Sequence, residues 1–463
     1  MRKIKPVLIV SILAVSIAMA ARQRRELLVI DHVTIVDGTG DQPIRNGAIV
    51  VEGQRIQQVG PRGRIQSSPG VTIVDASGKW VIPGLIDAHI HFDQSGNIFT
   101  RPDAIDLRKI RSYTAELDWI RQRLPVTLMR YPASGVTSVV DMGGPMWRFD
   151  IRDLAANTMN APRVALAGPL ISTHAVSELE TSDPAVIEAK SPEHARELVR
   201  AQLDRKPDLV KILFVHNPSD SLDSQAAIVE AAIDESRRRG VRTAVHATEL
   251  DTAKIALRAG ADILVHSVAD RVVDAPFIDL VKSRNALYIA TLMVDEKYDQ
   301  VFRQAVTLTD IERRLGDSQV IESWKELSRV PLSEIPGGIP QIPLQAVRKN
   351  TFTNLQLLES AGVRIVAGTD AGNIGTLHGP AIHREFELMA EAGMRPTEIL
   401  VAATKNAAAV MGKEAELGTL ARGKLADLVI LDADPTRDIR NARKIYKVMK
   451  NGAFIDIPPD GLR

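Results

Sequence analysis

The chain contains no cysteine in its 463 residues. That absence excludes disulfides, thiolate metal sites and cysteine nucleophiles, and leaves His, Asp, Glu and Lys as the side chains able to hold a metal. Charge of either sign is not in excess: the formal net charge is +1, so nothing in the bulk electrostatics favours nucleic acid or an acidic membrane surface. No apolar run reaches the ~20 residues a membrane-spanning helix needs. The longest, Pro6 to Ala20, follows Arg2, Lys3 and Lys5 and ends at Ala18-Met19-Ala20. A basic start, a short apolar stretch and a small-x-small site describe a secretory signal peptide over residues 1–20, hence a periplasmic or secreted protein. Arg22, Arg24 and Arg25 lie just past that site and hinder translocation, which keeps an uncleaved membrane anchor open as the alternative. Lack of disulfides does not argue against export, because a chain of this size does not need them. No glycine-rich phosphate loop follows the first apolar strand of the central region, which weakens a dinucleotide-binding sheet.

A hydrophobic content of 45% with 25% charge is ordinary for a soluble globular enzyme. The length suits one large domain and a small one. Both ends read as short strands with turns: Leu27–Ile30, Ala48–Glu52 and Val71–Asp75 at the start, and Leu425–Leu431, Ile445–Met449 and Ala453–Ile455 near the end, with turn signals such as Asp37-Gly38 and Asn451-Gly452. Neither end holds enough strands alone. We therefore expect residues 26–80 and 415–457 to build one composite β-sandwich, with residues 81–414 inserted between them.

The insert alternates apolar strands with amphipathic helices. Strands are expected at Val81–Phe92, Gly135–Met142, Arg163–Ile171, Leu209–Val215, Arg242–Ala247, Ile263–Val268, Ala286–Met293 and Val363–Gly368. Helices such as Gln225–Arg239 and Thr252–Ala259 each end at a glycine that can serve as a C-cap. Near-continuous apolar strands separated by helices indicate a parallel sheet, and eight units indicate a (β/α)8 barrel. One interruption, residues 295–343, is charged and then proline-rich. It reads as a lid or substrate-contact segment on the catalytic face, or as a plain surface excursion.

The chemistry-bearing residues fall at strand ends. His89 and His91 close the first apolar run, and alternate residues of a strand share a face, so the two imidazoles project together. Paired imidazoles suit zinc and similar metals. Lys211 lies inside the apolar stretch Leu209–Val215, where a bare ammonium is costly to bury. His246, His266 and Asp370 end three further strands. Each taken singly is matched by an ordinary core or solvated residue. All six converge only if the strands form a barrel, which gathers its active site at their C-terminal ends.

These motifs, Pro83-Gly-Leu-Ile-Asp-Ala-His-Ile-His, Val210-Lys-Ile, Val245-His-Ala, Val265-His-Ser and Ala367-Gly-Thr-Asp-Ala-Gly-Asn, resemble those of the metal-dependent amidohydrolases. The resemblance runs over nearly the whole chain beyond residue 20 and is strongest to the imidazolonepropionase-like branch that includes binuclear Xaa-Pro dipeptidases. It implies two divalent ions, expected to be zinc. His89, His91 and Asp370 would hold one, His246 and His266 the other, and a carbamate formed on Lys211 by CO2 would bridge them. Burial, by lowering the lysine pKa, supplies the neutral amine that CO2 requires. The resemblance also implies a hydroxide between the ions as nucleophile, with Asp370 shuttling its proton. A small-molecule amide, peptide or ester would be the substrate, as for a dipeptidase or N-acyl-amino-acid hydrolase.

Dipeptidase-like relatives often carry a tyrosine after the fourth strand; here that stretch reads His216-Asn-Pro-Ser-Asp-Ser, which puts a C-terminal amino-acid preference in doubt. His174, His216 and His378 are candidate substrate residues, each equally readable as a solvated loop histidine. His246-Ala-Thr-Glu249 resembles the H-x-x-E of mononuclear deaminases and cyclic-imidate hydrolases, an alternative that a bridging Lys211 disfavours. A third reading, a barrel that binds without catalysis, would be supported by loss of a ligand, but all six are present. Oligomeric state stays open, with a homo-oligomer common for such folds.

Overall fold

The computed structural model describes residues 27–64 and 71–457; the expected signal peptide, residues 1–20, lies outside the described residues. Among those described, no helix is long and apolar enough to cross a membrane.

Strands from both chain ends share one sheet. Its order is Ala453–Phe454, Ile445–Lys450, Leu428–Leu431, Trp80–Pro83, Leu27–Ile35, Ile44–Glu52 and Arg55–Pro61, with Thr72–Asp75 also paired to Leu27–Ile35. The two ends of this order approach each other: a Cβ on Gly452, in the turn before Ala453–Phe454, would lie 1.9 Å from the carbonyl oxygen of Gly53, in the turn before Arg55–Pro61, and the Ile56 amide donates to Lys424 O at 2.9 Å. The sheet thereby encloses an apolar core in which Ile30, Ile49 and Ile56 meet Leu428, Ile430 and Met449. The expected sandwich is thus one continuous eight-stranded sheet wrapped on itself.

The central region carries eight strand–helix units. The first strand, Leu85–Ile90, pairs in parallel with Val136–Asp141, and that with Arg163–Leu166. Leu170–Ser172, Val210–Leu213, Thr243–His246, Ile263–Val265, Leu287–Ile289 and Arg364–Val366 continue in parallel, with Val186–Glu188 outside Leu170–Ser172. Two sets of bonds join these arcs. The Ala88 amide donates to Ala367 O (3.2 Å) and the Asp370 amide to His89 O (2.7 Å), linking the first strand to the eighth; the Asp208 amide donates to Leu166 O (2.9 Å), linking the third to the fourth. The ladders form arcs of three and seven strands, and no unbroken eight-strand ladder closes the ring. Side chains from all eight strands, among them Ile86, Val140, Ala165, Leu209, Ala244, Ile263, Leu287 and Val366, nevertheless form a single buried cluster, as the filled interior of a (β/α)8 barrel requires. Burying each such Val, Leu or Ile contributes about 1.5–3 kcal/mol.

Local chemistry explains the helices. Ser221 caps Leu222–Arg238 by accepting from the Ser224 amide, Asp274 caps Ala275–Ser283 by accepting from Phe277, and Leu250–Ala259 stops at Gly260, whose φ of 105° suits a residue without Cβ.

Two expected strands are each divided. Val81–Phe92 splits at Pro83-Gly84: Trp80–Pro83 belongs to the terminal sheet and Leu85–Ile90 to the barrel. Gly84 sits where a Cβ would lie 2.2 Å from Thr137 Oγ1, so only glycine allows the crossing. Arg163–Ile171 breaks at Ala167-Gly168-Pro169, since proline cannot donate to a central ladder. Residues 295–343 include the end of helix Met293–Phe302, then Asp310–Leu315, Ser318–Glu326 and short turns. Its apolar side chains Tyr298, Val301, Phe302, Trp324 and Leu327 pack on Ile98, Phe99 and Leu107, so it is a folded excursion with its own small core.

Candidate metal centre

At the C-terminal mouth of the barrel lies a cavity of about 350 Å³, and His91, Lys211, His246, His266 and Asp370 all line it. His89, fully buried, stands behind them. His89 and His91 end the first strand as the period of two requires: their Nε2 atoms are 3.1 Å apart. Asp370 Oδ1 is 3.3 Å from the first and 3.2 Å from the second. The His266 ring centre is 4.9 Å from that of His89 and 4.4 Å from that of His246.

Hydrogen bonds at the far sides of the rings set their orientation. His91 Nδ1 donates to Gly143 O at 2.7 Å, which leaves its Nε2 lone pair facing the cluster. His266 Nδ1 is 2.7 Å from Thr291 Oγ1. Asp87 supports the first strand from beneath, its Oδ1 accepting from the His89 amide at 3.3 Å. His266, Thr291 and Asp370 adopt φ of 72°, 46° and 57°, a left-handed region rare for side-chain-bearing residues. Three such residues at one barrel mouth mark a site where backbone strain is held by its surroundings.

The electrostatics are those of a metal-ligating set. Burial lowers the pKa of His266 to about 3, and those of His89 and His246 well below the ordinary imidazole range, so the rings are neutral and able to ligate. Burial lowers Lys211 to about 7. Burial works against the Asp370 carboxylate, but His89 and His91 outweigh it and hold its pKa well below the usual range. Lys211 Nζ, His89 Nδ1 and Asp370 Oδ1 are buried without a hydrogen-bond partner. Such atoms are costly unless something absent pairs with them. Two imidazole nitrogens and a carboxylate oxygen 3.1–3.3 Å apart match the ~3.3 Å separation of tetrahedral ligands at zinc distances. The residues fit a divalent ion.

A second group of possible ligands, His91, Asp93 and Asp141, is partly compensated from within: the one guanidinium of Arg148 bonds Asp141 and lies 3.1 Å from Asp93.

The amidohydrolase family matches residues 80–455. The chain belongs to the amidohydrolase family. As a member of this metal-dependent family it is a hydrolytic enzyme. An imidazolonepropionase of Rubrobacter xylanophilus is 25% identical over 94% of this chain and 99% of its own length. A 5-methylthioadenosine/S-adenosylhomocysteine deaminase of Symbiobacterium thermophilum is 22% identical over 88% of this chain and 86% of its own. The structure of a Xaa-Pro dipeptidase with bound methionine superposes with a TM-score of 0.70 at 23% identity, covering 93% of this chain and all of that one. The family match and the imidazolonepropionase likeness over nearly both whole chains support the imidazolonepropionase-like branch of the amidohydrolases.

The six residues expected to form the site of this amidohydrolase are brought together. The three loop histidines are not: none of His174, His216 and His378 lines the cavity. His378 is held at both nitrogens, by Tyr131 OH (2.6 Å) and Gln94 O (2.7 Å), and His216 Nδ1 bonds Gln225 at 3.0 Å. His174 lies in a turn closed by Ser172, its amide donating to Ser172 Oγ at 3.1 Å. Glu249 precedes helix Leu250–Ala259 without capping it and is likewise outside the lining, where Thr248 stands instead. The sequence reading missed Arg101, Asp103, Asp295, Tyr298 and Asn373, which do line the cavity. Arg101 and Asp103 lie in a loop and carry no periodic signal, Asp295 and Tyr298 fall in the excursion at 295–343, and Asn373 ends the motif that begins at Ala367.

Proposed function

We propose that this amidohydrolase cleaves an amide or peptide bond of a small molecule with two divalent ions, expected to be zinc. The observation that carries the reading is Lys211, a lysine with a buried, unpartnered amine that faces the same cavity as His91, His246, His266 and Asp370. A single ion leaves that amine without a role. With a pKa near 7, about half of it is neutral at neutral pH. The neutral amine adds to CO2, a new N–C bond forming as one C=O π bond opens, and loss of one proton leaves a carbamate anion. An anion with two oxygens can be shared by two cations, which turns a costly buried group into a favourable one.

In this reading His89, His91 and Asp370 would hold one ion, His246 and His266 the other, and carboxylated Lys211 both. Bound ions would acidify a water and polarise the scissile carbonyl. Asp370, kept anionic by its neighbours, accepts the proton of the attacking water and returns it to the departing amine. His91 is locked by Gly143 O and His266 held by Thr291, so neither ring turns away during the cycle. Of residues 295–343, Asp295 and Tyr298 reach the cavity, and the rest packs on Ile98, Phe99 and Leu107 beside it. The signal peptide read at residues 1–20 would place this activity in the periplasm or outside the cell.

A hydrolysis screen tests the proposal: dipeptides and N-acyl amino acids, with zinc-loaded protein supplied with bicarbonate. Amide cleavage that bicarbonate enhances after its depletion supports it. Deamination without amide cleavage contradicts it.

A further inference from the structure

The cavity has two unlike walls. Leu170, Val176, Leu179, Ala185 and Val186, from the segment after the third strand, make one of them apolar. The rest of the lining carries charge, part of it compensated locally. Asp103 takes Nε and Nη2 of Arg101 at 2.8 and 2.6 Å, and Arg101 also donates to Asn373. Asp93 lies 3.1 Å from Arg148. Lys211 and Asp370 belong to the metal group.

Asp295 is what remains. It lines the cavity, half-buried, and among the described residues no hydrogen bond or ion pair engages its carboxylate. It stands in the first turn of helix Met293–Phe302, directly after the seventh strand. Acidic residues favour helix starts for the sake of the free amides. Here the amides at the helix start go elsewhere: Glu385 accepts from Leu292 at 2.9 Å and Met293 at 3.0 Å, and the Asp295 side chain caps none of them. An unpaired carboxylate partly withdrawn from water, facing the space where substrate must lie, is matched by a cationic donor, and charge-assisted hydrogen bonds are about twice as strong as neutral ones.

We propose that Asp295 is an ammonium-binding residue, and that the substrate is an amide whose acyl part carries a free amine beside an apolar side chain, such as an aminoacyl amide or a dipeptide. This rests on the hydrolase reading above. Outside the metal group no unpaired cation lines the cavity among the described residues, so an anionic end of the substrate finds no equivalent partner.

Two probes separate the idea from its premise: a phosphinic analogue of a leucyl-alanine dipeptide with a free amine, and its N-acetyl derivative. Calorimetry on the zinc-loaded protein should show the free amine binding at least tenfold tighter. In Asp295→Asn that ratio should fall towards one, and Asp295→Glu should restore part of it. A ratio near one in the unaltered protein overturns the proposal. So does a ratio unchanged in Asp295→Asn, or one lost as fully in Asp295→Glu. If the ratio behaves as expected but no amide is cleaved, the hydrolase reading fails and the ammonium site stands.

Discussion

Asp87, on the first barrel strand, and Thr369, just past the eighth, are joined by two hydrogen bonds: the Thr369 amide donates to Oδ1 at 3.0 Å and the hydroxyl to Oδ2 at 2.7 Å. They span a seam where the strand ladder is interrupted. Thr369 precedes Asp370, and Asp87 also accepts from the His89 amide, so one carboxylate fixes the backbone beneath two proposed ligands. Burial raises its pKa to about 7, a cost its partners only partly offset.

Asp87→Ala should therefore loosen the site as well as the fold. Leaving the amides of His89 and Thr369 unpaired costs about 1–3 kcal/mol. Loss of a group that orients metal ligands lowers metal affinity about 10–100-fold. Thermal unfolding and zinc titration measure both; a variant with normal affinity and lowered stability would show that Asp87 serves the fold alone.

Lys211→Met should stabilise the protein once metal and bicarbonate are stripped, while lowering the zinc content of loaded protein. Burial sets the folded-state pKa of Lys211 at about 7, below a lysine's ordinary 10.5. Between those values the unfolded chain binds the extra proton, so stability of the stripped protein rises with pH across that window. The penalty is greatest at and below pH 7, on the order of a few kcal/mol. The gain in Tm from Lys211→Met should accordingly shrink as pH is raised from 7 towards 10.5. A constant gain would mean that shape, not charge, decides.

Away from the site, His383 contributes to acid stability. It is buried, donates from Nε2 to Ser134 O at 2.9 Å, and burial lowers its pKa to about 4 from an ordinary 6.5. From pH 6.5 down to 4 the unfolded chain takes up a proton that the folded one refuses. Stability should fall through that window by about 3 kcal/mol and level off below it. His383→Gln keeps a donor for Ser134 and should flatten the fall; Tm against pH for both proteins measures it.

Asp370→Asn keeps the shape and removes the proton acceptor. Turnover should drop about 10²–10⁴-fold with little change in Tm. Turnover within threefold of the unaltered protein would assign the proton shuttle elsewhere.

The site residues on strands were legible because strand geometry is periodic. His89 and His91 had to share a face, and Lys211 in an apolar strand had to be buried. The eight units were legible for the same reason. The crossing at Pro83-Gly84 was not, because an apolar run reads alike whether it serves one sheet or two; only the contact between Gly84 and Thr137 reveals the change. Nor was the partition of the loop residues. His378 looked available in sequence, yet Tyr131, 247 positions away, occupies its Nδ1. Asp295 reads in sequence as one charge among many, and only the fold shows that Glu385, 90 positions on, takes the amides of Leu292 and Met293 in its place.

Metal stoichiometry of the active protein is the most direct test. Mass-spectrometric metal analysis of dialysed, amide-cleaving enzyme should give two divalent ions per chain, falling to one or fewer in Lys211→Met. Full activity with a single ion per chain would contradict the account.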